Sequence, residues 1–351
     1  MKKIFIYSSL ATTFLLSACS TDLDVIGDYK ETTVVYGLLD QSQTTQYIKI
    51  NKAFLGKGSA LEFAKVKDST QYVNSLNVVL QRIKNGVQQG ADITLSPDNT
   101  IPKNSGVFYA PDQANAIFST TSALYTDSQY KLVIKNTETG NEVSSQTSLV
   151  SDFNFTKPGA TNPSFAFITS TNANPRFFVE WISSLNARAY QLIIRLNYTD
   201  STITNGNIVK YVDWVFPTQK TQNLSGAETM GADFHGQDFF QFVGGLMEPY
   251  PDLFKRTAGN VELRLVAAAD DLNTFIEVNA PSTGIIQQKP EYTNVTNGLG
   301  VFSSRYNKTP FSRPMTSLTI DSLACGQYTK DLKFLNALKQ VNGAGEPITC
   351  P

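Results

Sequence analysis

The sequence predicts a mainly β protein built from two β-sandwich domains, the second of which carries helical insertions. Apolar and polar residues alternate with period two in many short segments, which is the pattern of half-buried strands. Turn-forming residues lie between these segments, as in Asn85-Gly86 and Thr139-Gly140-Asn141. A chain of 351 residues, 41% of them hydrophobic, also exceeds one typical core, so two domains are expected.

The first predicted domain covers residues 31–152. Its strands are expected where the alternation is clearest, at 47–51, 76–81 and 130–135. Residues 55–75 break the alternation and predict a long excursion with one helical turn. Short strands joined by frequent turns are typical of a β-sandwich.

The second predicted domain covers residues 153–351, and the proline- and glycine-containing segment 157–163 marks the boundary. Alternating strands are expected at 177–181, 190–198 and 261–265. The placement of Trp181 on one strand and Tyr190 at the start of the next resembles fibronectin-type and immunoglobulin-like sandwiches. That resemblance concerns the fold and implies no function.

Two helices are predicted in the second domain. Residues 237–243 form the first, which two downstream prolines would end. Leu332, Leu335 and Leu338 recur at helical spacing and predict a C-terminal helix from Lys330 to Val341, followed by an Asn-Gly stop.

The first 18 residues have the features of a secretory signal, with Lys2 and Lys3 before a short apolar stretch. That stretch is shorter than the ~20 residues of a membrane-spanning helix. Leu16-Ser17-Ala18-Cys19 resembles the lipobox of bacterial lipoproteins. The resemblance implies cleavage after residue 18 and lipid attachment to Cys19, where several acyl chains give a stable anchor. An ordinary signal peptide with an incidental cysteine is the alternative.

Residues 19–30 form the predicted flexible tether. Its start, Ser20-Thr21-Asp22-Leu23-Asp24, is polar and acidic. It resembles the serine-plus-acid signal that sends Bacteroidota lipoproteins to the outer face of the outer membrane. The resemblance implies surface display, and a plain tether without a sorting role is the alternative.

Composition narrows the function classes. Removal of residues 1–18 would change the formal net charge from −1 to −3, because two lysines and no acid are lost. The chain has no Lys/Arg-rich run, so nucleic acid is not an expected partner, and neither is an anionic lipid surface. A mean hydropathy of −0.18 argues against an integral helical membrane protein.

Once Cys19 is assigned to lipid, Cys325 and Cys350 remain. An even pair in an oxidising compartment suggests one disulfide, which would close a loop of about 25 residues worth roughly 3 kcal/mol. Two reduced thiols are the alternative.

The sequence contains no recognisable catalytic or metal-binding set. His235, the single histidine, has neither the additional ligands that zinc needs nor a nucleophile motif for a triad. Asp270-Asp271 lacks the spacing of a calcium loop and favours a turn or helix cap. The glycines of Asn297-Gly298-Leu299-Gly300 are expected to allow close backbone packing or positive φ. We therefore expect no enzyme activity, metal or cofactor.

Aromatic residues between 234 and 250 form the densest cluster. Phe239, Phe240 and Phe242 on the predicted helix are expected to contact a protein partner. Burial in the sandwich core is one alternative. Glycan binding is another, because aromatic rings stack on sugar faces.

Three triplets of Asp, Ser and a small or apolar residue resemble the O-glycosylation sequon of the Bacteroidota. The acceptors implied by the resemblance are Ser69, Ser201 and Ser322. Since so short a pattern also arises by chance, each of the three is open.

The order of features resembles a Bacteroidota family of surface lipoproteins of unknown function, often encoded beside SusC-like TonB-dependent transporters. The motifs that carry the resemblance are the lipobox, the strand Thr33–Asp40 that follows it, and the segment Asn297–Phe302. The resemblance implies a role at the outer-membrane surface beside a barrel.

These features together predict a non-enzymatic, surface-exposed lipoprotein that is an accessory subunit of an outer-membrane β-barrel complex. The complex would serve TonB-dependent uptake, or outer-membrane protein assembly and surface lipoprotein export. The expected partners are the barrel protein, other surface lipoproteins, and the membrane through the lipid anchor. An independent glycan-binding surface lipoprotein is the alternative.

Overall fold

The alternating segments of the sequence form the strands of the protein. The computed structural model describes residues 32–53, 60–72, 75–104, 115–281 and 291–348. Strands account for 46% of the described residues and helices for 14%, so the predicted mainly β class is confirmed.

The described residues form seventeen strands and five α-helices. The strands are β1 (Thr33–Asp40), β2 (Gln46–Lys52), β3 (Leu76–Lys84), β4 (Val87–Gln88), β5 (Ile93–Thr94), β6 (Ser96–Asp98), β7 (Ile117–Thr120), β8 (Gln129–Asn136), β9 (Glu142–Ser148), β10 (Asn154–Lys157), β11 (Arg176–Ile182), β12 (Ala189–Thr202), β13 (Gly206–Val215), β14 (Gln219–Lys220), β15 (Thr229–His235), β16 (Leu253–Ala268) and β17 (Gly298–Arg313). The helices are α1 (Ala60–Ala64), α2 (Lys67–Thr70), α3 (Gly236–Leu246), α4 (Asp270–Asn279) and α5 (Ser317–Cys325).

A nine-stranded sheet forms the centre of the fold. Its order is β13-β12-β16-β17-β1-β2-β7-β6, with β14 added beside β12. β1 runs parallel to β17, from Thr33 opposite Gly298 to Asp40 opposite Arg305, and the other pairs are antiparallel. The sheet therefore crosses the predicted boundary at residues 152/153, and the two sandwiches share a sheet where separate ones were expected.

The parallel contact between β1 and β17 depends on Gly300. Its φ is +105°, a left-handed conformation that glycine adopts readily, and a Cβ there would lie 2.0 Å from the Val35 carbonyl oxygen. A Cβ on Gly298 would lie 2.8 Å from the Thr33 carbonyl oxygen. The predicted role of these glycines in close backbone packing is confirmed.

Two smaller sheets pack on the same face of the central sheet. One is five-stranded, β4-β3-β8-β9 with β5 beside β3, and the other is three-stranded, β10-β11-β15. Strand β17 contributes to both cores, because Phe302 is buried in the first and Phe311 in the second. The β17–β16 register places both rings on one face, with a bulge between them.

Each core holds the apolar residues of facing strands. The first includes Val35, Leu39, Ile48 and Ile50 of the central sheet and Val78, Leu80, Tyr130, Leu132 and Ile134 of the five-stranded sheet. The second includes Leu192, Leu196, Leu263 and Leu265 of the central sheet, Val179 and Trp181 of the three-stranded sheet, and Phe239, Val243 and Leu323 of helices α3 and α5.

The opposite side of the central sheet, called here the outer face, is crossed by α4. The backbone N–H of Leu272 donates to the Ser303 hydroxyl at 3.2 Å, and Leu272 packs near Leu38. None of the helices in the described part of the chain has the length and apolar character of a membrane span.

The helix predicted at 237–243 is found as α3, whereas the C-terminal helix predicted from Lys330 to Val341 is wrong. Only Lys330–Leu332 form a single 3-10 turn, after which Lys333 adopts a φ of 61°. The Lys333 carbonyl then accepts from the Arg256 N–H at 2.7 Å, and the Leu335 N–H donates to the Arg256 carbonyl at 2.8 Å. Backbone pairing with β16 thus replaces helical bonds in this segment.

Candidate functional site

A groove of about 800 Å³ lies on the outer face, beside α4 and the first two strands. It is lined by side chains of β1, β2, β16, β17 and α4, so both predicted domains contribute to it. Successive side chains along a strand point to opposite faces of the sheet. The side chains that face the groove therefore alternate along each strand with those buried in the cores.

Two tyrosines expose their rings at this groove. Tyr36 on β1 is 46% exposed and Tyr47 on β2 is 40% exposed. Tyr36 lies opposite Lys49, and Tyr47 comes two residues before Lys49 in β2. The two tyrosines are therefore diagonal neighbours. Phe275 of α4 meets the Tyr36 ring edge-on at a centroid distance of 6.1 Å. The helix therefore supports one of the two exposed rings.

The floor of the groove contains a carboxylate whose bonding is satisfied. Asp40 is 2% exposed and accepts a hydrogen bond from the Asn307 amide. Arg305 Nε lies 3.3 Å from its Oδ2, and the Ser42 N–H donates to its Oδ1 at 3.0 Å. The negative charge of Asp40 is thus balanced by Arg305.

Gln46 fixes the turn between β1 and β2 at the rim of the groove. Its Oε1 accepts from the Asp40 N–H at 2.8 Å, and its Nε2 donates to the Asp40 carbonyl at 2.9 Å. Gln46 is 2% exposed, so these bonds form away from competing water. The position of Asp40 is therefore fixed by its backbone as well as by its side chain.

Two further cations line the groove. Lys49 is exposed and Arg264 is half-buried. Neither forms an ion pair or a side-chain hydrogen bond with the residues that the structure describes. With Asp40 and Arg305 balancing each other, these two side chains give the groove a positive charge.

A second exposed surface lies on the hairpin of β12 and β13. Val209, Tyr211 and Val215, called here the hairpin face, are 80%, 57% and 50% exposed and point to the outer face. Arg195 forms a two-bond ion pair with Asp213 at 2.7 and 2.8 Å, and its guanidinium lies 3.5 Å from the Tyr211 ring centroid. β13 ends the central sheet, so its far edge pairs with no described strand.

The structure does not place the predicted partner residues on the surface. Phe239 is 1% exposed and Phe240 is 6% exposed, and both pack in the second core. Phe242 is half-buried and stacks on Trp214 at 5.2 Å. Burial of Phe239 and Phe240 contradicts the predicted partner contact through these two residues, whereas contact through the half-buried Phe242 stays a prediction.

His235 begins helix α3. Its backbone N–H donates to Asp238 Oδ2 at 2.8 Å, which is the bond that the third helical residue makes to the N-cap in a capping box. Within the described ranges, no three His, Cys, Asp or Glu side chains could hold a metal ion. Asp270 and Asp271 lie in the first turn of α4, where carboxylates favour the helix N-terminus, but the N-cap residue is Ala269 and neither aspartate caps the helix.

The three glycosylation triplets lie within secondary structure. Ser69 is in α2 and Ser322 is in α5, and both are half-buried. Ser201 lies in β12 between β13 and β16, and its hydroxyl donates to Asn207 at 2.7 Å. The preceding Asp200 is fully buried. All three sites stay predictions.

The anchor and the disulfide concern the ends of the chain. The predicted lipid-bearing Cys19, the signal 1–18 and the tether 19–30 lie outside the described residues. Cys325 is disulfide-bonded. Cys19 and Cys350, the only other cysteines of the sequence, lie outside the described residues. The pairing of Cys325 with Cys350 stays a prediction.

No protein-family model matches the chain, and no curated protein matches it. Among solved structures, the C-terminal globular domain of an oligosaccharyltransferase from Pyrococcus abyssi is 12% identical, with 74% of this chain and 55% of that chain covered and a TM-score of 0.28. The chain thus spans about half the length of that protein. A cytokine receptor complex is 10% identical, with 75% and 93% covered and a TM-score of 0.19. Likenesses this weak carry no argument about fold or function.

Proposed function

We propose that the protein is a non-enzymatic, lipid-anchored surface lipoprotein that acts as an accessory subunit of an outer-membrane β-barrel complex. The lipobox at residues 16–19 supports the anchor. The hairpin face is the observation that supports a protein partner. The complex would serve TonB-dependent uptake or the assembly and export of outer-membrane proteins and surface lipoproteins.

The hairpin face is suited to binding an extended segment of another protein. Sheet edges are ordinarily protected by charged residues that keep other strands away. Lys210 does not protect this one, because its ammonium binds Asp200 at 2.9 Å. Asp213 is paired with Arg195. An added partner strand would bond to the free edge and cover the exposed valines and tyrosine.

Purification of the full-length protein from mildly solubilised membranes tests this proposal. We expect a barrel protein to co-purify in stoichiometric amount with the wild type. A Val209→Glu/Tyr211→Glu variant should lose that partner, because two charges would be buried unpaired in the interface. Val87→Glu is the matched control, since Val87 is 61% exposed on a short strand of another sheet.

Failure of any barrel to co-purify or crosslink with the wild type would contradict the accessory role. Retention of the barrel by the folded double variant would contradict the hairpin face as its binding surface. Circular dichroism and thermal unfolding of each variant separate loss of the partner from loss of the fold.

A second function, the binding of a glycan, is favoured by the exposed tyrosines of the groove. Aromatic rings that face solvent offer apolar surfaces on which sugar rings can stack. Tyr36 and Tyr47 meet this requirement on neighbouring strands, away from the hairpin face. The two functions use different residues of the outer face and can therefore be tested separately.

A further inference from the structure

We propose that the groove on the outer face binds an acidic saccharide, with its sugar rings against Tyr36 and Tyr47 and separate anionic groups at Lys49 and at Arg264, which line different parts of the groove. This inference rests on the glycan-binding function proposed above and is independent of the barrel partner. It assigns the ligand a chemical class, a sugar that carries carboxylate or sulfate.

The aromatic part of the groove indicates a ring-shaped ligand with an apolar face. Tyr36 and Tyr47 are each more than one-third exposed, although neighbouring strand residues on the other face are fully buried. Their diagonal placement across β1 and β2 allows one bound molecule to contact both rings. Phe275 limits the movement of Tyr36, so the Tyr36 side chain loses less conformational entropy when a ligand binds.

The charge of the groove indicates the sign of the ligand. Asp40 is balanced by Arg305 and is held by the Asn307 amide and the Ser42 N–H. It therefore offers little negative charge to a ligand. Lys49 and Arg264 keep their charges unpaired among the described residues. Half-burial of Arg264 strengthens its attraction for an anion, because water screens it less.

Anionic nucleic acid does not fit this groove, since the chain as a whole carries a net charge of −1 and two free cations make no phosphate-binding stripe. A carboxylate or sulfate on a sugar needs only one or two cations. The planar fork of Arg264 can bind either group through two hydrogen bonds. An acidic saccharide therefore matches both the number of cations and the adjoining rings.

Calorimetric titration of the full mature protein in detergent tests the inference. The probes are an oligogalacturonide, a sulfated heparin tetrasaccharide and neutral cellotetraose. We expect one or both acidic probes to bind, with affinity that falls as salt rises, and cellotetraose to bind more weakly. The preferred acidic probe identifies the anionic group as carboxylate or sulfate.

Groove variants locate the site. Lys49→Gln and Arg264→Gln should each weaken the acidic probe about tenfold, as expected for loss of one charged hydrogen bond. Tyr36→Ala/Tyr47→Ala should weaken acidic and neutral probes together, because sugar stacking needs no charge. Lys135→Gln is the matched control, since Lys135 is an exposed strand lysine in the five-stranded sheet.

Any one of four results would overturn the inference. One is the absence of acidic-probe binding by folded protein at millimolar ligand. Another is equal binding of acidic and neutral probes, and the third is unchanged binding by the folded groove variants. A control with an acidic peptide separates sugar recognition from simple charge attraction, and equal binding of that peptide would also overturn it. None of these results bears on the barrel partner, whose binding is measured with the hairpin variants.

Discussion

The guanidinium of Arg256 lies 2.9 Å from the carboxylate of Asp200, and the two side chains are 3% and 0% exposed. Arg256 also donates to the carbonyls of Leu332 at 3.1 Å and Glu248 at 2.8 Å. Asp200 accepts from Lys210 at 2.9 Å and from the Tyr250 hydroxyl at 2.9 Å. This buried cluster joins β12 and β16 to the C-terminal segment.

We expect Arg256→Ala to reduce the free energy of unfolding by about 3–5 kcal/mol, because Asp200 would lose its buried partner and keep only the part-exposed Lys210 as counter-charge. Urea denaturation measures the loss. Arg176→Ala is the control, since the Arg176–Asp233 pair is about half exposed and should contribute less than about 1 kcal/mol. Equal losses in both variants would contradict the importance of the buried pair.

The same cluster makes stability depend on acid. Burial alone would raise the pKa of Asp200, but hydrogen bonds from Lys210, Tyr250 and Arg256 outweigh it and leave the pKa lowered. A carboxyl group whose pKa is lowered in the folded state stabilises the fold at pH values above its pKa in the unfolded chain, which is about 3.8. That contribution is lost as the pH falls below this value through the folded pKa.

Denaturation at a series of pH values from neutral to acid checks the sign. The wild type should lose stability more steeply below about pH 4 than Asp200→Asn does. Asp127→Asn is the control: a hydrogen bond from Lys84 lowers the pKa of Asp127 to about 2, but its side chain is 49% exposed. A wild type that loses no more stability in acid than Asp200→Asn would contradict the prediction.

Gly300→Ala should destabilise the protein by about 3 kcal/mol or more, because the new Cβ would clash with the Val35 carbonyl at a positive φ. Gly245→Ala is the control. Gly245 is inside α3, where a Cβ meets nothing within 4 Å, so alanine there should be neutral or slightly stabilising. Thermal unfolding compares the two, and equal melting temperatures would count against the tight β1–β17 contact.

Cys19→Ala should leave the protein without lipid and release it from the membrane, or cause it to accumulate as precursor. The Leu16-Ser17-Ala18-Cys19 motif is the basis of this prediction. Fractionation and mass spectrometry of the N-terminal peptide test it. Normal membrane retention of the variant, together with an unmodified wild-type peptide, would refute the lipoprotein assignment.

Cys325 should be linked to Cys350, which the sequence leaves as its partner once Cys19 is lipidated. Peptide mapping without reductant, on protein from intact cells, should recover one peptide pair that contains both residues. A Cys350→Ser variant controls for exchange during digestion. Free alkylation of both thiols in the wild type would disprove the pairing.

Local pattern was sufficient to predict the strands. Alternation around Ile48, Leu80 and Leu132 predicted β2, β3 and β8, because one buried face imposes period two on a strand. Pairing between distant strands leaves no such pattern. Thr33 and Gly298 lie opposite each other in β1 and β17, but neither segment contains a pattern that identifies the other as its pairing partner. The shared sheet was therefore missed.

Apolar spacing alone misled at two places. Leu332 and Leu335 are buried, but Leu338 is 77% exposed, because the backbone here pairs with β16 and forms no helix. Phe239 and Phe240 were correctly placed on a helix and wrongly assigned to the surface. A cluster of aromatic residues does not indicate which side of a helix meets solvent.

The groove was not predicted, although its residues were visible in the sequence. Tyr36 and Lys49 fall at the polar positions of alternating strands, where exposed side chains are ordinary. Their significance comes from α4, which crosses the outer face and places Phe275 beside Tyr36. A helix's crossing point depends on tertiary packing, which single-sequence patterns do not contain.

The position of β1 between β2 and β17 has a consequence for the order of folding. In a chain that emerges from its N-terminus, β1 and β2 become available long before β17, and the first core lacks Phe302 until that strand arrives. One edge of β1 therefore stays unpaired until β17 is available, and long-range pairing of this kind is slow and prone to aggregation. Completion of the first sandwich thus requires β17, which lies within the last sixth of the 351 residues, so a chain truncated before Gly298 would present an unpaired β1 edge to its neighbours.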